Sequence, residues 1–178
     1  MKYVIASDIH GSAYYCRLLK KRYEEEKAQK LLLLGDLLSH GARNALPKEY
    51  STLETAAILN SMKSDILCVR GNCDSDVDTM VLEFPIVAAY AILPVGAHTL
   101  VLTHGHNEYA VLKEGDVLVN GHFHVPAFER RGVYTYVNCG SVSIPKENSP
   151  HSYLVLEDGT LTWKDVETGI PYRTERLS

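Results

Sequence analysis

Residues 31–36 read LLLLGD, four consecutive leucines that end in a glycine and an aspartate. A short run that is apolar on both faces suits a central strand of a parallel sheet, because such strands are covered on both sides. Similar runs at residues 3–6 and 66–69 also end in polar side chains, and helical patterns at 13–28 and 52–62 separate the three runs. This order predicts a strand–helix–strand–helix–strand unit with parallel strands.

The second half of the chain predicts short strands and little helix. Turns that contain glycine separate several of its apolar or alternating segments. We expect a second sheet, mixed or antiparallel, that packs on the first, and the length of 178 residues predicts one α/β domain over residues 1–178. The predicted strands are residues 87–93, 99–102, 117–119, 133–137, 152–156 and 160–164, with one helical turn at 108–112 and a frayed chain end at 174–178.

Composition excludes several classes of function. The net charge of −4 at pH 7 gives no sign of the basic surface that duplex nucleic acid requires. No apolar run approaches the roughly 18 residues of a membrane span, and the stretch at residues 3–6 is too short for a signal peptide. The four cysteines form no CxxC pair or disulfide framework, which is typical of free thiols in a reducing compartment. We therefore expect a cytoplasmic protein that binds neither membranes nor duplex nucleic acid.

Five short polar clusters each follow an apolar run, and together they contain five of the eight histidines. Ligand sites in open parallel sheets lie beyond the carboxyl ends of the strands, so we expect the clusters to converge. A sixth histidine, His40, follows Asp36 by four residues. The clusters are Asp8-Ile9-His10, Gly35-Asp36, Gly71-Asn72-Cys73-Asp74, Thr103-His104-Gly105-His106 and Gly121-His122-Phe123-His124.

The donor atoms in these clusters predict divalent metal. Carboxylates suit hard ions and imidazole suits transition metals, so the mixture favours Mn, Fe, Zn or Ni over Mg or Ca alone. Seven candidate ligands are too many for one ion, and two ions would each receive four if Asp36 bridges them. Positions left open for water and substrate indicate a catalytic site. The candidate ligands are Asp8, His10, Asp36, Asn72, His104, His122 and His124.

The combination of clusters resembles the calcineurin-like metallophosphoesterases. The pattern of that family is Asp-x-His, Gly-Asp, Gly-Asn-His-Asp or -Glu, a histidine in a Gly-His context, and Gly-His-x-His. All five blocks occur in this order between residues 8 and 124, with one substitution in the third. The segments at 39–47, 70–75 and 139–146 further resemble the small bacterial YfcE-type phosphodiesterases.

The resemblance implies a metallophosphoesterase-type sandwich of two packed mixed β-sheets flanked by α-helices. It also implies a metal-dependent hydrolase in which a metal-activated hydroxide attacks a small phosphodiester at a binuclear centre. Manganese is the metal usually associated with this branch, with Zn, Fe, Ni and Mg as alternatives, and a homodimer or homotetramer is implied. The first ion would be held by Asp8, His10, Asp36 and His124, and the second by the bridging Asp36 with Asn72, His104 and His122.

One departure from the family pattern concerns the general acid. The family places a histidine where this chain has Cys73, and a thiol with a pKa near 8.5 replaces imidazole poorly. We consider His40 and His106, and then Cys73, as catalytic proton donors, the alternative being a substrate whose leaving group needs no proton. Arg43 and Asn44 are candidate substrate-binding residues because they closely follow the strand that ends at Asp36.

Three functions are compatible with these motifs. The favoured one is a phosphodiesterase, and a phosphomonoesterase or small nuclease could use the same ions. A non-catalytic protein-binding scaffold, as in the small retromer subunit of this fold, is the third. Scaffold relatives depart from the pattern at metal positions, whereas all seven ligand positions match here, which favours an enzyme. Asp74 is expected to orient a neighbouring histidine or cap the next turn rather than bind metal.

Overall fold

The computed structural model describes residues 1–108 and 111–177, which form two β-sheets and two α-helices. The first sheet has the strand order β11-β10-β9-β1-β2-β3, and the second has the order β4-β5-β6-β8-β7. The strands are β1 (Lys2–Ala6), β2 (Lys30–Leu33), β3 (Ile66–Cys68), β4 (Tyr90–Val95), β5 (His98–Thr103), β6 (Asp116–Asn120), β7 (Ala127–Arg131), β8 (Tyr134–Asn138), β9 (Ser152–Glu157), β10 (Thr160–Asp165) and β11 (Pro171–Arg176); the helices are α1 (Ala13–Glu26) and α2 (Thr52–Asn60).

The leucine run lies at the centre of the first sheet, where β2 pairs in parallel with both β1 and β3. Alternate side chains of a strand point to opposite faces, and both faces are buried here. Leu31 and Leu33 pack with the helices, whereas Leu32 and Leu34 pack against the second sheet. The prediction of a fully covered parallel strand is therefore confirmed.

The two sheets pack face to face around a second core. Leu100, Val117 and Val137 from the second sheet meet Ile5 and Trp163 from the first. The parallel strands β5, β6 and β8 give the second sheet its own set of carboxyl ends, with antiparallel β4 and β7 at its edges. The predicted sandwich of two mixed sheets is confirmed.

Three features differ from the predictions. The late strands β9, β10 and β11 extend the first sheet instead of joining the second, because β9 pairs antiparallel with β1. The edge strands β7 and β11 were not predicted, since their sequences AFERR and PYRTER carry few apolar residues. The chain end at 174–176 is thus paired rather than frayed. The helical turn predicted at 108–112 lies partly outside the described residues.

The helices begin and end where their sequences allow. The hydroxyl of Ser12 accepts a hydrogen bond from Tyr15 N at the start of α1, and Ser51 caps α2 in the same way. The first helix ends at Glu26, because the backbone of the next residue, Lys27, is left-handed, so the helix is shorter than predicted. With 14 and 9 residues, neither helix in the described part of the chain has the length or apolar character that a membrane crossing requires.

Candidate metal centre

The polar clusters all lie at the carboxyl ends of parallel strands. Asp8 and His10 follow β1, Asp36 follows β2, and Asn72 follows β3. The second sheet contributes His104 after β5, and His122 and His124 after β6. Main-chain hydrogen bonds join neighbouring turns, among them Asp8 N to Gly35 O at 3.1 Å and Gly121 N to His104 O at 3.0 Å. The structure thus brings the seven predicted ligands to one place between the two sheets.

Five of these residues adopt a backbone conformation that side chains rarely take. Asp8, His10, Asp36, His122 and His124 have φ between 50° and 64°. Such left-handed residues each cost roughly 1–3 kcal/mol and are concentrated at functional sites. Two glycines lie so close to these turns that no side chain would fit in their place. A Cβ at Gly71 would collide with the Asp36 carboxylate, and one at Gly121 would collide with Ser7.

The carboxylates of Asp8 and Asp36 are arranged alike. One oxygen of each is held by a main-chain N–H, from His122 to Asp8 Oδ2 at 2.9 Å and from Cys73 to Asp36 Oδ1 at 2.8 Å. The other oxygen of each faces histidine Nε2 atoms. Asp8 Oδ1 lies 3.4 Å from His10 and 3.2 Å from His124, and Asp36 Oδ2 lies 3.7 Å from His10 and 3.4 Å from His104. Asp36 therefore faces one histidine of each predicted ion.

Main-chain carbonyls orient three of the histidine rings. His10 Nδ1 donates to Ser39 O at 2.8 Å, His104 Nδ1 to Leu34 O at 2.6 Å, and His124 Nδ1 to Ile144 O at 2.6 Å. Because a carbonyl only accepts hydrogen bonds, each Nδ1 carries the proton. The neutral ring then presents the lone pair of Nε2 to the site, which is the form that binds a metal ion.

The remaining predicted ligands surround His104. The Nε2 atom of His104 lies 3.0 Å from Asn72 Oδ1 and 3.2 Å from His122 Nδ1. With Asp36 Oδ2 at 3.4 Å, four donor atoms meet at this point. Bonds of about 2.0–2.2 Å from one ion place neighbouring ligand atoms roughly 3–3.5 Å apart. The spacing therefore fits the predicted second ion.

The first group contains buried atoms that lack partners. Across residues 1–108 and 111–177, Asp8 Oδ1 and His10 Nε2 are buried without a hydrogen-bond partner. An acceptor oxygen that faces imidazole lone pairs at 3.2–3.4 Å is unfavourable unless a cation lies between them or the rings are protonated. Divalent metal would satisfy all of these atoms at once, so the residues present fit such an ion.

In the absence of metal, protons on the histidines compensate the negative charge of the buried carboxylates. Burial favours the neutral acid, yet the imidazoles of His10 and His124 hold the pKa of Asp8 well below its usual range. Burial opposes a charge on His104, but Asp36 and Asp8 raise its pKa to about 9. For His122, burial and the nearby His104 lower the pKa. The site therefore holds protons on part of its histidines, and metal would have to displace them.

Asp74 fixes the relative positions of two of the turns. Its carboxylate accepts hydrogen bonds from three main-chain N–H groups, those of Asp36 at 2.9 Å, Leu37 at 2.8 Å and Gly71 at 2.7 Å. Asp74 therefore ties the end of β2 to the end of β3. The expectation that it supports the site without binding metal agrees with these contacts, although its partners are main-chain groups and not a histidine.

A cleft of about 480 Å³ opens over this centre. Among the predicted non-metal residues, Arg43, Asn44 and Cys73 line it. The amide of Asn44 donates to His40 O at 2.8 Å and so braces its own loop. Cys73 also belongs, with His10 and Asp36, to a group of donor atoms within 4.8 Å of one another. Burial and the carboxylate of Asp36 raise the pKa of Cys73 to about 12.

The two histidines predicted as proton donors lie outside that cleft. Of the described residues that line it, none is His40 or His106. The ring of His40 packs edge-on against Tyr50 with centroids 5.3 Å apart. His106 is exposed, lies 5.4 Å from the ring of His104, and lines a neighbouring groove. Their catalytic roles stay predictions, and of the three candidates Cys73 has the closest access to substrate.

Two residues that line the cleft were missed by sequence reasoning. Lys146 adds a cation, and its backbone N–H donates to His124 O at 3.2 Å. Phe123 adds an aromatic ring between His122 and His124. Both lie in stretches that the sequence analysis had singled out, since Lys146 ends the segment 139–146 and Phe123 stands inside the Gly-His-x-His motif, but neither was assigned a role at the site.

Comparison with known proteins agrees with this geometry. Residues 1–160 match the calcineurin-like phosphoesterase superfamily domain. The chain belongs to this superfamily. It is 44% identical to the phosphodiesterase YfcE of Escherichia coli K12 over 166 residues, which cover 91% of this chain and 90% of the relative. It is 27% identical to the probable metallophosphoesterase YsnB of Bacillus subtilis, over 88% and 83% of the two chains.

Two solved structures share the fold of this chain. The structure of the phosphoesterase YfcE from E. coli superimposes with a TM-score of 0.95 over the full length of both chains, at 40% identity. A structure of Vps29 from Chaetomium thermophilum gives a TM-score of 0.64 at 17% identity, over 99% of this chain and 97% of that one. The second likeness concerns the fold alone.

Replacing Asp74 tests whether it holds the turns together. Asp74→Ala leaves three buried N–H groups without an acceptor, and each such loss costs roughly 1–3 kcal/mol. We expect the free energy of unfolding, measured by urea denaturation of metal-free protein, to fall by at least about 3 kcal/mol. The control Asp76→Ala removes an exposed ion pair with Arg70 and should cost less than about 1 kcal/mol. Equal losses in the two variants would contradict this role.

The raised pKa of His104 predicts a pH-dependent stability of the metal-free protein. The folded value of about 9 lies above the unfolded value near 6.5, so protonation favours the folded state. This stabilisation is complete below about pH 6.5 and is lost as the pH rises through about 9. Urea denaturation in the presence of a chelator should show this decline, and His104→Gln should flatten it. The same slope in both proteins would contradict the assignment.

Proposed function

We propose that this protein hydrolyses small phosphodiesters at a binuclear metal centre. One observation carries the proposal: one carboxylate oxygen each of Asp8 and Asp36 faces imidazole Nε2 atoms whose Nδ1–H groups are bound to main-chain carbonyls. The identity of 44% to a curated phosphodiesterase over nine-tenths of the chain supports the choice of reaction. Arg43 and Lys146 on the cleft walls suit an anionic substrate.

Two divalent ions bound here would lower the pKa of a water molecule and neutralise charge on the phosphate. The protein holds the ligands for them in advance. The first set is Asp8, His10, Asp36 and His124, and the second is Asp36, Asn72, His104 and His122. Asp36 Oδ2 lies 3.7 Å from His10 Nε2 and 3.4 Å from His104 Nε2, which supports its bridging role. Manganese is proposed as the metal.

The cleft supplies the contacts to the substrate. Arg43 offers a planar pair of donors for phosphate oxygens, and Lys146 offers a second positive charge. Arg43 is exposed, so it is free to adjust to the ester groups of a bound diester. Asn44 holds the loop that carries Arg43 through its bond to His40 O. These residues are proposed to bind and orient the phosphate.

The residues predicted as proton donors are poorly suited to protonate the leaving oxygen of the substrate. Cys73 lines the cleft, but a thiol with an ordinary pKa near 8.5 is a weaker acid than the imidazolium that the family has at this position. Burial and the charge of His104 lower the pKa of His106, so this ring is mostly neutral at pH 7. We therefore propose that the preferred leaving group departs with little help from a general acid.

Location and assembly are proposed only by analogy. A cytoplasmic location is proposed, and it is supported by the free cysteines, since such thiols are typical of a reducing compartment. A homodimer or homotetramer remains a prediction from family resemblance. The small size of the cleft, about 480 Å³, supports a small diester in preference to a nucleic acid strand.

The activity is tested with bis-p-nitrophenyl phosphate beside p-nitrophenyl phosphate, using metal-stripped protein with and without Mn²⁺. We expect metal-dependent cleavage that favours the diester. Asp36→Ala should lower kcat by more than about a hundredfold, since outer-sphere partners alone cost 10–100-fold. The control Asp76→Ala should retain activity. No turnover of either ester despite bound metal would instead favour the scaffold function.

The missing acid is tested with aryl phosphodiesters of graded leaving-group pKa. Without a proton donor, charge builds up on the leaving oxygen, so we expect kcat to fall steeply as the leaving-group pKa rises. Cys73→His introduces a group with a pKa near 6.5 at the cleft wall and should make this dependence shallower. If kcat of the unmodified protein does not change with the leaving-group pKa, a general acid is present and the hypothesis of a missing acid is wrong.

A further inference from the structure

Phe123 is an exposed aromatic ring beside the metal centre. Its side chain is 51% exposed although it lies between two predicted ligands, His122 and His124. The ring meets the imidazole of His122 edge-on, with centroids 5.1 Å apart. A large apolar surface next to a polar site indicates a ligand contact, because binding of a ligand would remove this surface from water.

The ring stands where two grooves meet. Phe123 lines both the metal cleft and a second groove of about 420 Å³. The second groove continues away from the metal ligands along β6 and β8. A molecule whose phosphate lies at the metal centre can therefore extend over Phe123 into this groove.

The walls of the second groove suit a flat group with polar edges. Tyr134 offers an aromatic surface, and the guanidinium of Arg131 lies 3.8 Å above the ring of Tyr136, which places flat groups on this wall. His106 and Asn107 add hydrogen-bonding groups near the metal end. Aromatic rings with neighbouring arginine stack on flat heterocycles and aryl groups, whereas an aliphatic chain gains no such contact.

We propose that Phe123 and the second groove bind an aromatic ester arm of the substrate, the arm that stays on phosphorus when the leaving group departs. The substrate class is then a phosphodiester with one flat aromatic or heteroaromatic group. This inference rests on the proposed function and deepens it. It also gives a reason for preferring diesters, since a monoester has no second arm to fill the groove.

Two diesters with one leaving group test the assignment. Methyl p-nitrophenyl phosphate and phenyl p-nitrophenyl phosphate both release p-nitrophenolate, and they differ only in the retained arm. We expect Phe123→Ala to lower the phenyl-to-methyl ratio of kcat/KM by about tenfold, chiefly through KM of the phenyl ester. Phe123→Trp should keep the ratio. Since both diesters need the same metals, weaker metal binding would lower both rates and leave the ratio unchanged.

The control is Ile170→Ala, which removes another exposed apolar side chain away from both grooves and should leave the ratio as it is. An unchanged ratio in Phe123→Ala, with both diesters still hydrolysed, would overturn the inference and leave the proposed function intact. A change in molecular size by light scattering with an unchanged ratio would overturn it as well, and would assign the ring to a contact between copies. Failure of the unmodified protein to cleave either diester would overturn both proposals.

Discussion

Burial of β1 and β2 on both faces constrains everything that follows in this structure. Val4 and Leu33 face the helices while Ile5 and Leu32 face the second sheet. Beyond the lysines with which they begin, Lys2 and Lys30, neither strand therefore has a surface that could carry polar side chains. A charged group placed within these strands would be buried without water or partners. The chemistry is therefore confined to the points where the strands end. Because the strands are parallel, those ends share one edge, and the second sheet brings its own parallel ends to the same place.

The turns at this edge adopt strained backbone conformations, and these conformations fix the positions of the candidate metal ligands. Asp8, Asp36 and His122 are left-handed, and the surrounding main chain compensates through its hydrogen bonds. The N–H of His122 holds Asp8, the N–H of Cys73 holds Asp36, and Asp74 joins the turns after β2 and β3. Each carboxylate is thus fixed through one oxygen and points the other at the histidine Nε2 atoms. Such preorganisation means that ligands need not reorder when they bind a cation.

Sequence reasoning succeeded where a pattern has one physical interpretation. The four leucines at 31–34 predicted a covered strand, and the order of the clusters predicted which side chains converge. It failed where pairing, not composition, stabilises an element. The edge strand β11 is held by main-chain bonds to β10 although its side chains are largely polar. Lys146 stood in the segment 139–146 but was given no role, because its place at the cleft depends on the path of the loop after β8. The roles of His40, His106 and Cys73 as proton donors stay predictions, because the direction in which each side chain points depends on the fold, and only Cys73 of the three lines the cleft.

The histidine rings owe their orientation to carbonyl groups of Ser39, Leu34 and Ile144. Every amino acid carries that acceptor, so substitutions at these three positions leave the acceptor in place as long as the backbone path is kept. The orientation of the three rings is therefore robust to side-chain changes at these three positions, in contrast to Gly71, Gly121 and Asp74, where the residue type itself is required. The cleft walls differ in this respect, because Arg43 and Phe123 face the cleft with their side chains. Mutational tolerance around the site therefore depends on whether a position contributes its backbone or its side chain.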